Sequence, residues 1–252
     1  MDFYRFKSLE KYGQCLHAVS QKSEQEPYAL STALHTGEEV AIIRQNREKI
    51  AQALGWKSGL SFVLANQTHS DRIVVVDAEG HQGWQSLESA IQDCDALISG
   101  EKNLVLAVLT ADCVPILLYD KEKEVIAAVH AGWKGTKASI VAKTVQKMQE
   151  CFGCDPLDII AGIAPAIGSC CYEVGIEVAE HFMSYPQACQ PKGEKYMLNL
   201  PLINQAQLLE VGLLEEHIEL SNICTACEVA SFFSYRKEQG CTGRFMSMIA
   251  VT

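Results

Sequence analysis

Three nearly continuous apolar runs, Leu104 to Leu109, Ile116 to Tyr119 and Val125 to Val129, constrain this chain more than any other feature. A strand with one face in water alternates apolar and polar residues, so a run without that alternation needs cover on both faces, as in an α/β architecture. The polar stretch Asp120-Lys121-Glu122-Lys123-Glu124 is a turn between the last two. Ser61 to Ala65, Ile73 to Val76, Asp158 to Ile163, Ile218 to Cys224 and Phe245 to Val251 read as further strands. Ile140, Val141, Thr144, Val145 and Met148 mark an amphipathic helix whose N-terminus, directed toward the His130 segment, can attract an anion. Residues 201–212 read as helical. Thr36 and Glu39 have capping-box spacing ahead of Ile43, Ile50 and Leu54, which predicts a helix over about 38–54 ended by Gly55. The first 35 residues carry no clear pattern.

At 252 residues and 48% hydrophobic, the chain can bury a sizeable core, and without a repeat, low-complexity tract or linker the expectation is one mixed α/β domain over 1–252. A formal charge of −10 argues against nucleic acid and anionic membranes as partners. Met1 to Lys7 lacks the order of a signal peptide, and no segment approaches the roughly 18 apolar residues of a membrane span, so the expectation is a cytoplasmic protein. Eleven cysteines, an odd number in a long chain without an export signal, are expected to be mostly reduced, buried thiols.

Three segments end an apolar run with a residue able to hold a metal: Asn66-Gln67-Thr68-His69, Thr110-Ala111-Asp112-Cys113 and Val129-His130-Ala131-Gly132-Trp133. Two imidazoles and a thiolate suit Zn²⁺, with a fourth position open for water or substrate. A lone His or Cys near a strand end is more often packed or hydrogen-bonded than ligating, and it is the three together that point to a metal. Asp112 either orients a ligand and moves protons or caps a turn before Pro115. Gly132, Lys134 and Gly135 give close backbone approach and a cation suited to phosphate, or simply a tight strand-to-helix turn. Arg236 and Arg244 hold an anion or form buried salt bridges. Gly162 to Gly168 matches no phosphate-binding fingerprint and is expected to line substrate. The pairs Cys151/Cys154 and Cys224/Cys227 are too far apart for a compact zinc ribbon and read as incidental thiols, and Cys170-Cys171 reads as a crowded core segment rather than a redox pair, since vicinal disulfides are strained.

The segments NQTHSDRIVVVD, DCDALIS, LTADCVPILLYD, AAVHAGWKGT, GIAPAIGSCCYEVG and FFSYRKEQGCTGR together resemble the YfiH/laccase-domain family, from about residue 14 to the C-terminus. The resemblance implies a single-domain fold of mixed sheets flanked by helices, similar to the catalytic domain of cytotoxic necrotizing factor. It also implies zinc on His69, Cys113 and His130 and, as an oligomer, a homodimer. For activity it implies phosphorolysis of adenosine, inosine and methylthioadenosine to base and sugar 1-phosphate, with deamination of adenosine. One departure is the N-terminal Arg-x-Gly-Gly stretch of the family, matched here by Ser20-Gln21-Lys22-Ser23, with Lys22 a point charge where an arginine is expected.

Two other chemistries compete. Cys113 could be the nucleophile of a hydrolase or deamidase with His130 or His69 as base. A multicopper oxidase needs several His-x-His pairs, and none of the seven histidines forms one, although Cu²⁺ can enter a His/Cys/His site adventitiously.

Overall fold

In the computed structural model, which describes residues 1–56, 59–77, 82–240 and 243–252, the three apolar runs are the strands Leu104–Thr110, Val114–Asp120 and Val125–Ala131, buried at every position. Their side chains divide by parity. Successive strand residues point to opposite faces, so Leu106, Leu117 and Ala128 enter one core while Ala107 enters a second and Leu118 and Val129 a third.

The first of these cores lies between two six-stranded sheets. One sheet runs Phe3–Tyr4, Cys15–Ser20, Phe245–Val251, Leu104–Thr110, Ser61–Asn66, Ile91–Gln92. The other runs Ile218–Leu220, Ile159–Ile163, Val114–Asp120, Val125–Ala131, Ala96–Ser99, Ile73–Val75. The helix Val40–Ala53 covers the outside of the first through Ile50, and the helices Ile140–Phe152 and Leu200–Glu210 cover the second through Val145, Met148 and Ile203. This is the α/β architecture that the runs predicted, with the mixed sheets and flanking helices that the family resemblance implied. A small third sheet, Glu173–Val174, Lys195–Leu198 and Cys189–Lys192, lies outside these layers.

The chain crosses from the first sheet to the second at Asn66 to Ile73, at Gln92 to Ala96 and at Thr110 to Val114. Such crossings carry irregular backbone, and each brings one polar side chain toward the inter-sheet space.

Some expected elements are shorter. The capping box at Thr36 does not form: its hydroxyl bonds the Glu38 carboxylate and the Ala33 carbonyl, and Glu39 itself is the N-cap without a side-chain bond. The strand expected over Ile218 to Cys224 ends at Leu220, because Ser221 and the residues after it turn toward the Ala166 loop. A short helix, Trp133–Lys137, precedes the one that starts at Ile140. All ten described cysteines are free, yet only Cys15, Cys94, Cys154 and Cys189 are buried, so most are not core thiols. Cys241 lies outside the described residues. No described helix is long and apolar enough to cross a membrane.

Candidate metal centre and its cavity

His69, Cys113 and His130 converge: one donor atom from each lies within 4.8 Å of the other two. His69 is on the first crossing and Cys113 on the third, while His130 is the penultimate residue of its strand, opposite Pro115. By parity with Ile126 and Ala128, the His130 ring points between the sheets at their open end. His69 adopts φ +61°, an uncommon conformation for a residue with a side chain, and one that turns the ring back toward Cys113.

The second crossing supplies the group that holds this arrangement, Asp95. Its carboxylate accepts from His69 N at 3.1 Å, Ser70 N at 2.7 Å, Ser70 Oγ at 2.8 Å and Thr68 N at 3.2 Å, and meets His130 Nδ1 at 2.7 Å. A carboxylate facing Nδ1 fixes the hydrogen there and leaves Nε2 as the lone-pair donor. Sequence reasoning misses Asp95, although the segment Asp93 to Ser99 is one of the family's motifs. The signal was present, since an aspartate at the start of a buried strand needs partners.

Electrostatics follow from the packing. Burial opposes ionisation of Cys113, but the charge and hydrogen bond of His130, assisted by His69, bring its thiol down to about 6. Burial likewise disfavours a charged His130, yet Cys113 and Asp95 carry it up to about 9. Burial would raise the Asp95 carboxyl, which its bonds to His130 and Ser70 hold at about 2. Cys113 Sγ is 3.7 Å from His69 Nε2. A tetrahedral zinc with bonds of about 2.1 Å to nitrogen and 2.3 Å to sulfur separates such atoms by about 3.6 Å, so the donor set and spacing fit the ion. Gly132 is required by contact: a Cβ there would lie 2.9 Å from His69 Cδ2 and 3.1 Å from Cys113 Sγ.

The three residues open onto a cavity of about 520 Å³, lined also by Leu64, Leu109, Ile167, Tyr172, His35, Arg47, Arg236 and Arg244. That size and largely apolar lining suit a small organic ligand. Arg236 is exposed and lies 5.2 Å from the Tyr172 ring, Arg244 is half-buried and lies 5.8 Å from the Tyr235 ring, and both line the cavity.

Of the other expected residues, Asp112 lines the cavity as well, whereas Lys134 does not. Asp112 bonds neither imidazole; it accepts from Thr225 Oγ1 at 2.6 Å and from Arg236 N at 2.6 Å, tying the third crossing to the C-terminal loops. Lys134 is exposed, with Nζ 5.7 Å from the Trp133 ring, and does not line the cavity. Lys22 is engaged by Glu238 at 2.7 Å and by the Val229 carbonyl, away from the cavity. The several histidine pairs of a multicopper oxidase have no counterpart among the described residues, which gather a single histidine-bearing cluster, that of His69 and His130.

Residues 17–252 match the family model described as multi-copper polyphenol oxidoreductase laccase. The chain is 36% identical over 239 residues to the purine nucleoside phosphorylase YlmD of Bacillus subtilis, covering 92% of this chain and 84% of that one. It is 33% identical to a purine nucleoside phosphorylase of Bacteroides thetaiotaomicron, covering 98% and 95%. The crystal structure of the hypothetical protein YfiH of Bacillus licheniformis superposes with a TM-score of 0.91 at 35% identity, over 96% of this chain and 95% of that one. With its motifs, fold and nearly full-length match in agreement, the chain belongs to the YfiH/laccase-domain family.

Proposed function

We propose that this protein is a zinc-dependent purine nucleoside phosphorylase, acting on adenosine, inosine and methylthioadenosine, with adenosine deamination as a second activity of the same site. The observation that carries the reading is the convergence of His69, Cys113 and His130 at a cavity large enough for a nucleoside and lined by Arg236 and Arg244 among others. Relatives named purine nucleoside phosphorylase at 33–36% identity support the choice of substrate.

His69, Cys113 and His130 would hold the zinc, which would supply Lewis acidity to the reaction. The chain's own residues do the rest. Asp95 keeps His130 in one tautomer and orientation. Leu64, Leu109, Ile167 and Tyr172 offer apolar and aromatic surface to a purine and exclude water from it. Arg236 and Arg244 hold phosphate so that one of its oxygens reaches the sugar C1 as the bond from C1 to the base breaks and the base leaves with the electron pair. Asp112 positions Arg236 through its backbone.

The test is incubation of zinc-replete protein with each nucleoside and phosphate, followed by separation of products. Free base with sugar 1-phosphate, and inosine from adenosine, are expected, falling about 100-fold or more in Cys113→Ala and His69→Ala. Their absence would overturn the reading. A second reading, a cysteine hydrolase, draws on the proximity of the Cys113 thiol to the His130 ring, which favours thiolate on the one and a charged ring on the other. It requires metal-free activity that a thiol alkylator blocks.

A further inference from the structure

Cys170, Cys171, Cys224 and Cys227 form a second cluster, in which each Sγ lies within 4.8 Å of the other three. Cys227 Sγ is 3.5 Å from Cys171 Sγ and 3.6 Å from Cys170 Sγ. A disulfide needs about 2.05 Å, whereas the sulfurs of a tetrahedral tetrathiolate zinc, with bonds of about 2.3 Å, stand about 3.8 Å apart. The cluster therefore has the spacing of an ion's ligands rather than of a cross-link.

Packing does not explain why these thiols meet. Cys170 and Cys227 are exposed and the other two half-buried, outside the cores where a thiol acts as a small apolar group. Two separate backbone devices bring them together. In Cys224-Thr-Ala-Cys227 the amides of Cys227 and Glu228 both donate to the Cys224 carbonyl, a tight turn that aims two sulfurs the same way. In the facing loop, Cys171 N and Tyr172 N donate to the Gly168 carbonyl, and Gly168 N donates to Cys224 Sγ at 3.3 Å. An amide hydrogen aimed at sulfur is the outer support that thiolate ligands receive.

We propose that these four cysteines bind a structural zinc ion, distinct from the candidate centre at His69, Cys113 and His130. Four thiolates close the tetrahedron and leave no position for substrate, so the ion is a staple. The two loops it joins build one wall of the cavity: Ile167 and Tyr172 line it, and Thr225 holds Asp112, next to Cys113. Ala166 and Cys224 are already bridged there. The staple fixes that wall where no long strand does.

The experiment uses Cys113→Ala, which removes a ligand of the other centre, so failure of the proposed activity and failure of this site are separable. Purified under reducing conditions, that variant is expected to retain one zinc per chain by elemental analysis, and to show thiolate-to-cobalt charge-transfer absorption when reconstituted with Co²⁺. Adding Cys224→Ser and Cys227→Ser should abolish both. Because those changes can unfold the loop, wild-type protein is alkylated in parallel: Cys170 and Cys227 should be protected until a chelator is added, while exposed Cys151 reacts at the same rate throughout. Absence of retained zinc in Cys113→Ala, zinc that survives loss of the pair, unprotected Cys170 and Cys227, or a Cys171–Cys227 disulfide seen as the loss of two hydrogens would overturn the proposal.

Discussion

At the scale of single residues, the site depends on side chains that bind nothing themselves. Asp95 gathers the three amides and one hydroxyl of the Thr68 to Ser70 turn together with the His130 ring. Asp95→Asn keeps the shape but weakens the acceptor, and outer partners of this kind are worth about 10–100-fold in metal affinity. Competition against a chromophoric chelator should show that loss with the far-UV spectrum unchanged. His17 sets a pH dependence of a different kind. It is 1% exposed, its Nε2 accepts from Phe6 N at 2.8 Å, and burial, with the nearby Arg5 charge, pushes its pKa down to about 4. Above about pH 6.5 the ring is neutral whether the chain is folded or not; as the pH falls from there to about 4, the unfolded chain takes up a proton that the folded one refuses, so stability drops by up to about 3 kcal/mol. His17→Gln keeps an acceptor that does not titrate, and urea midpoints at pH 7 and pH 4.5 should differ less in the variant. Of these residues the sequence exposed the ligands, because metal-binding side chains are few in type. It hid Asp95, because an aspartate beside a strand looks like any turn residue.

Elements explain why the helix Val40–Ala53 carries polar groups on its inner face. Ile43 and Ile50 are buried as their spacing predicts, but so are Asn46 and Arg47. Arg47 donates to the carbonyls of Thr32 at 2.8 Å, Gly83 at 2.7 Å and Trp84 at 2.5 Å, and Asn46 to those of Pro27 and Ser31 at 3.0 Å each. The helix thereby closes irregular backbone that has no ladder partner. Arg47→Met preserves bulk and removes those donors, leaving carbonyls buried without partners; a loss of about 3 kcal/mol or more is expected in denaturant unfolding. The helix itself was legible from its apolar spacing, whereas its start was not, since a capping box requires a backbone geometry that the Thr36–Glu38 contact replaces. The strands were legible nearly to their ends. The strand expected over Ile218 to Cys224 stops at Leu220, where its ladder to Ile163 ends and Asn222 turns the chain with a φ of +55°.

At the scale of the whole molecule, two layered sheets bring their connecting turns to one end, and the proposed chemistry is built there. An ion that binds only the folded chain stabilises it by mass action, by about 2.7 kcal/mol at a hundredfold excess over its Kd. Denaturant midpoints with zinc and with a chelator should differ accordingly, and Cys113→Ala should lose the share contributed by the His69 centre. What the sequence determined by itself was local: which segments become strands buried on both faces, and which residue types stand where those strands end. These follow from side-chain period and from the exclusion of water along a few neighbouring residues. Tertiary structure alone decided which strand ends meet. The convergence of His69, Cys113 and His130 depends on sheet order, as do the clamp at Asp95 and the gathering of Cys170 and Cys171 with Cys224 and Cys227. Sheet order is settled by how every layer packs at once, and no stretch of chain records it.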